Sequence, residues 1–201
     1  MTRRIGLLGG TFDPVHNAHL ALARVALHTL ALDELRWIPA GTPWQKARTI
    51  TAAEHRVAML QLALAGEDHF VLERCEVART GPSYTLDTVR ELQQREAGAQ
   101  WFLIVGQDQY ANLRTWHGWQ ELLSRLTLAV AARPGAAQSG KAQAQDLVCE
   151  ALPLPPMDIA SSTIRDRVAR GESIAECVPP AVARYIDQHA LYLPSGAPSG
   201  S

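Results

Sequence analysis

IGLLGGTFDPVHNAHLALARVAL, residues 5–27, is the stretch that decides the fold. A short apolar run from Ile5 to Leu8 passes through two glycines and leads into an apolar-rich segment that begins at Leu20. That order predicts a buried strand, a glycine turn and then a helix. Gly9 and Gly10 let the backbone approach a bulky anion because no Cβ stands in the way. The free N–H groups at the start of the helix, with its dipole behind them, favour phosphate. His16 and His19 are three residues apart and share a face in a helical first turn. Three other readings compete. Two surface histidines give the same spacing. A metal site is short of ligands, with Asp13 the only nearby acid. A dinucleotide fingerprint fails because no G-x-G-x-x-G follows the strand.

Strand-like and helix-like segments alternate outward from this stretch. Strands are expected at 4–8, 34–38, 70–74, 101–105, 126–132 and 146–151, and helices at 19–31, 52–65, 84–96 and 109–124. Thr51 and Glu54 have capping-box spacing at the start of the second helix. The βαβα order predicts an α/β protein, a doubly wound parallel sheet with helices on both faces. Leu103-Ile-Val and Leu128-Ala-Val-Ala-Ala lack polar alternation, as strands buried on both faces should. Sheets of this kind bind ligands at the carboxyl ends of their strands, where the strand order reverses.

The chain has 201 residues, enough for one domain with a real core. A net charge of −1 gives no field to hold a nucleic-acid polymer, so a nucleotide partner should be small. Three cysteines, Cys75, Cys149 and Cys177, are far apart and in no C-x-x-C pair, which points to reduced thiols and a cytoplasmic setting. The start MTRRIGLLGG is too short in its apolar part for a signal peptide, and no stretch is long enough to span a membrane. Residues 133–145 read as a low-complexity surface loop and 194–201 as a disordered tail, leaving a single domain over 1–193. Gly135 to Lys141 spells G-x-x-x-x-G-K, but Ala142 lacks the hydroxyl that a phosphate-binding P-loop uses to hold magnesium.

IASSTIRDRV at 159–168 is a second phosphate candidate. Ser161, Ser162 and Thr163 are N-cap types, and Ile164 and Val168 mark one helix face. Arg165 would stand in the first turn, where the dipole disfavours a cation unless an anion bridges them. The plain alternative is a capped surface helix with a solvated arginine.

GGTFDPVHNAHL at 9–20 resembles the N-terminal signature of the HxGH-type nucleotidyltransferases, with Ala18 in place of the usual glycine. IASSTIR resembles their C-terminal signature ISSTxIR, with Ala160 at the first serine position and Ser162 at the threonine. PAGTPWQK at 39–46, PSYTLDT at 82–88, VGQDQYANLRTWHGW at 105–119 and VPPAVARYIDQHALY at 178–192 narrow the resemblance to the nicotinate-nucleotide adenylyltransferases. It runs from about residue 5 to residue 193. The resemblance implies a Rossmann-like sheet with a C-terminal helical segment. It implies adenylyl transfer from ATP to nicotinate mononucleotide in NAD synthesis, with Mg²⁺ carried on the triphosphate.

It also implies roles. His16, His19 and Arg165 are the expected catalytic residues. Gly9, Gly10, Thr11, Phe12, Ser161, Ser162, Gly106 and Asp108 are expected at ATP. Thr85, Trp116 and Lys46 are expected at the acceptor, and no protein metal site is expected. Trp116 suits stacking on a flat ring, and Thr85 at a helix start suits its carboxylate. The plain readings are core packing for Trp116 and Trp119, a helix cap for Asp108 and a solvated chain for Lys46. A sibling transferase using nicotinamide mononucleotide or phosphopantetheine remains an alternative. So does a nucleotide sensor without catalysis, and self-association is left open.

Overall fold

The computed structural model describes residues 2–41, 50–132, 147–155 and 157–194. Six strands form one sheet in the order β3-β2-β1-β4-β5-β6, and every recorded pairing is parallel. The strands are β1 (Arg4–Gly10), β2 (Glu34–Pro39), β3 (Phe70–Leu72), β4 (Gln100–Val105), β5 (Thr127–Ala132) and β6 (Glu150–Pro153). The order 3-2-1-4-5-6 is that of the doubly wound dinucleotide-binding folds, and it reverses between β1 and β4. Recorded β1–β4 pairs run from Arg4↔Gln100 to Leu7↔Leu103, while β1 stays paired with β2 up to Gly10↔Pro39. The ends of β1 and β4 therefore flank the crevice where such sheets bind ligands.

Alternation along the strands builds two cores. Ile5, Leu7, Trp101, Leu103 and Val105 pack on one face with Leu86, Val89 and Leu92 of α4 (Thr85–Arg95) and Leu122 of α6 (Trp119–Arg125). Leu8, Leu35, Trp37, Phe102 and Ile104 pack on the other face. They meet α1 (Asn17–Thr29), α2 (Ala53–Leu64), α7 (Ser161–Ala169) and α8 (Pro180–Gln188). Helices on both faces confirm the doubly wound expectation, and α7 and α8 form the C-terminal helical segment.

The start of the sheet is closed by charge. Arg36 is nearly buried and pairs with Glu34 at 2.5 Å and with Glu96. Arg3 reaches both acids, Glu96 at 2.8 Å. Arg36 also lies 5.5 Å from the Trp101 ring.

Several boundaries depart from expectation. Gly9 and Gly10 are not a turn but the last residues of β1, because Pro39 of β2 still pairs with Gly10. The strand expected over 70–74 stops at Leu72, and a short helix follows, α3 (Cys75–Ala78). The helix expected over 109–124 is broken into α5 (Gln107–Ala111), a 3₁₀ turn (Leu113–Thr115) and α6. Trp116 is extended and Gly118 has φ 62°, a left-handed angle that ends helical propagation. The strand expected at 146–151 begins at Glu150. No capping box opens α2. Its N-cap is Ala52, and the Thr51 carbonyl instead accepts from Arg56 Nε at 2.9 Å. The 133–145 loop with its G-x-x-x-x-G-K sequence, and residues 195–201 of the tail, lie outside the described residues.

Candidate active site

His16 is the N-cap of α1 and His19 its third residue, so the expected shared face is real: their rings stack at 3.6 Å between centroids. The His16 backbone N–H donates to His19 Nδ1 at 3.3 Å. That bond fixes the neutral tautomer of His19, with the proton on Nε2. Phe12 meets His19 edge-on at 5.1 Å and is itself buried against Trp37. Phe12 therefore supports the histidine, and its side chain is not the part that faces a nucleotide. Its φ of 50° turns the chain sharply under β1. A Cβ on Gly10 would stand 3.0 Å from the Phe12 ring, whereas one on Gly9 would meet nothing within 4 Å. Gly10 is small to admit Phe12, and Gly9 leaves open space above the strand end.

Both imidazoles are neutral near pH 7. Burial lowers His16 to about 4 and holds His19 well below the usual histidine range, with the neighbouring His16 adding to the effect. His16 Nδ1 is buried without a hydrogen-bond partner among the described residues. Such an atom costs stability unless a ligand completes it.

The second signature meets the first. Ser161 Oγ donates to the Pro14 carbonyl at 3.0 Å, and Arg165 Nη1 to the Asp13 carbonyl at 2.7 Å. The expectation that a serine caps α7 is overturned: Ala160 is the N-cap, which leaves Ser161, one residue inside, to bond Pro14. Ser162 is exposed in the first turn of the same helix. Two segments about 150 residues apart thus share one backbone corner, at the cis Asp13–Pro14 peptide.

Across the crevice, Gly106 caps α5 after β4, and Asp108 is exposed in its first turn. The cap reading of Asp108 therefore fails, because glycine occupies the cap. Thr85 is the first residue of α4, half-buried. Trp116 is half-buried and packs against the β4-side core, so the packing reading holds for part of its surface. The neighbours of these two residues touch: the Tyr84 and His117 rings are 4.6 Å apart, and a Cβ on Gly118 would overlap Leu86. The segments that carry Thr85 and Trp116 are thereby adjacent. Lys46 lies outside the described residues. Among the described residues, no group of three or more His, Cys, Asp and Glu side chains converges to hold a metal.

Sequence reasoning missed Arg56. It is almost fully buried and donates to the carbonyls of Thr11 at 2.9 Å, Gly41 at 3.2 Å and Thr51 at 2.9 Å. It ties together the chain after β1, the chain after β2 and the start of α2. The signal was present: Arg56 sits four residues before Leu60 on the buried stripe of α2, where an unneeded charge would not stand.

Comparison with known proteins agrees with this geometry. Residues 7–167 match the cytidylyltransferase-like family. A protein of Methylibium petroleiphilum named probable nicotinate-nucleotide adenylyltransferase is 52% identical over 96% of this chain and 93% of its own length. This chain belongs to the nicotinate-nucleotide adenylyltransferase family. A family member from Bordetella petrii, of the same name, is 47% identical over 94% of this chain and 99% of its own. Among solved structures, the Plasmodium falciparum nicotinic acid mononucleotide adenylyltransferase complexed with NaAD superposes with a TM-score of 0.81. It is 17% identical, over 94% of this chain and 97% of that one. The same Plasmodium enzyme complexed with APC gives a TM-score of 0.79 at 16% identity, with the same coverage. These two share the fold. No described helix is long and apolar enough to cross a membrane.

Proposed function

We propose that the chain transfers the adenylyl group of ATP to the phosphate of nicotinate mononucleotide, giving deamido-NAD and pyrophosphate. The observation that carries this reading is the joining of the two signatures. Ser161 and Arg165 grip the Asp13–Pro14 backbone immediately before the stacked pair His16 and His19.

The reaction is an in-line displacement. A phosphate oxygen of the acceptor attacks the α-phosphorus of ATP. The bond from that phosphorus to the bridging oxygen breaks, and pyrophosphate leaves with the electron pair. The attacking phosphate is already ionised near pH 7, so the protein supplies position and charge stabilisation rather than a general base. His19 offers Nε2–H, a neutral donor, to the α-phosphate. His16 brings a buried ring whose Nδ1 a ligand can complete, and a triphosphate would draw a proton onto it. Arg165, with the N–H groups at the start of α7, takes the departing phosphates. Gly9 admits the nucleotide over β1, while Gly106 and Asp108 border it from β4. Magnesium travels with the triphosphate on phosphate oxygens and water. Asp13, the acid of the N-terminal motif, does not offer its carboxylate there because it is buried and bonded to Tyr192.

On the acceptor wall, the start of α4 at Thr85 suits a carboxylate and Trp116 suits a flat ring. A carboxamide would set its NH₂ against N–H donors, which favours the acid over the amide. ATP labelled at the α-phosphorus tests the reading. Label appearing in a dinucleotide with nicotinate mononucleotide supports it, and label remaining in ATP, or released as AMP, refutes it.

A further inference from the structure

Tyr192 lies 179 residues from Asp13 along the chain, yet its hydroxyl donates to Asp13 Oδ1 at 2.8 Å. Asp13 is 1% exposed. The same residue's backbone carbonyl accepts from Arg165, and its Oδ2 lies 3.5 Å from the Thr51 backbone N–H. One buried carboxylate therefore meets the C-terminal segment and the approach to α2, on the residue whose carbonyl holds α7.

The segment that delivers Tyr192 is held in an unusual conformation. Ala190 has φ 49° and Tyr192 has φ 67°, both left-handed without being glycine. Such angles are strained for residues with a Cβ and persist only where surrounding contacts impose them. The contacts are present. His55 Nδ1 and the Tyr185 hydroxyl are 2.9 Å apart, which docks α8 on α2. Tyr185 and His189 pack ring to ring at 4.1 Å, and the Leu191 N–H bonds the Ile186 carbonyl at 3.0 Å.

We infer that Tyr192 is a positioning residue for phosphoryl chemistry. Through Asp13 it holds the Asp13–Pro14 corner, on which Arg165 and Ser161 are hung and from which His16 and His19 project. It touches no substrate in this scheme. Burial and the Asp13 charge both push the Tyr192 hydroxyl above the usual tyrosine range, which keeps its proton available as the donor. The inference rests on the proposed adenylyl transfer for its kinetic consequence, and on geometry alone for its effect on ATP binding.

Tyr192→Phe keeps the ring and removes the donor. In the full chain, its Kd for magnesium-ATP, measured by titration calorimetry without acceptor, should rise about tenfold, the scale of one hydrogen bond to a charged group. The turnover number should fall about tenfold, while KM for nicotinate mononucleotide stays within about twofold and Tm falls by no more than about 4 °C. Asp13→Asn, which leaves Tyr192 in place and removes the charge, should show the same pattern. The double variant should be no worse than the poorer single one, because both act through the same contact, one by removing its donor and the other by removing the charge of its acceptor. Wild-type ATP affinity and turnover in Tyr192→Phe would overturn the inference. So would losses that multiply in the double variant, or a fall in Tm with unchanged kinetics. If the wild-type chain itself makes no dinucleotide, the functional reading fails, while the calorimetric comparison still decides the role of Tyr192.

Discussion

The two ends of the sheet use polar groups in opposite ways. At the strand starts, Arg3, Arg36, Glu34 and Glu96 satisfy one another in a closed set of ion pairs, with Arg36 and Glu34 almost out of water. At the strand ends, His16 is buried and His19 half-buried, both as neutral rings, and one nitrogen of His16 has no partner among the described residues. The first arrangement is complete within the chain and serves folding. The second is incomplete within the chain, and the proposed phosphate ligand would complete it. The lesson is that the functional end of a parallel sheet is recognised by what its buried polar groups still lack.

The largest expected effect breaks the comparison at the functional end. His19→Ala should lower the turnover number by roughly 10²–10³, the scale of one transition-state donor, with Tm little changed. Steady-state kinetics beside a thermal melt checks both. A wild-type turnover would remove His19 from the chemistry. Arg36→Ala tests the other end. It leaves Glu34 and Glu96 without their buried cation and should reduce stability by about 3 kcal/mol in urea denaturation, with kcat unchanged. A large loss of kcat in the stable fraction would show that the ends are not separate.

The pH dependence sharpens the contrast. His16 titrates near 6.5 when unfolded and at about 4 when folded, so the unfolded chain binds the proton first as pH falls. Its contribution is full above 6.5 and is lost between 6.5 and about 4, amounting to about 3 kcal/mol in all. His16→Gln should flatten that part of the stability curve relative to wild type, and magnesium-ATP, by drawing the folded-state value back toward 6.5, should shrink the wild-type loss. The smallest effect concerns the acceptor wall. Trp116→Ala should raise KM for nicotinate mononucleotide about fivefold, from a loss of about 1 kcal/mol, with little change in kcat.

Much of this was legible before the structure. The alternation of apolar runs carries the sheet, and the short spacing of His16 and His19 carries their shared face, because both are local geometry. The exceptions follow from non-local terms. Gly9 and Gly10 read as a turn, since glycine is permissive, but pairing with β2 extends the strand through them. Ser161 reads as a cap, but its better partner is the Pro14 carbonyl, which no local pattern reveals. Residues 109–124 read as one helix, since the left-handed angle at Gly118 is set by its approach to Leu86. Tyr192 was visible only as part of a resemblance, and its partner Asp13 had been weighed only as a weak metal ligand.

Pyrophosphate release from magnesium-ATP, compared with nicotinate mononucleotide, nicotinamide mononucleotide and phosphopantetheine as acceptors, tests the central claim most directly. The account predicts rapid release with the nicotinate nucleotide and much slower release with the other two. Equal release with the amide would contradict the acid-selective wall at Thr85 and Trp116. No release with any acceptor, by a chain that still binds ATP, would contradict the claim that the joined signatures are a catalytic site.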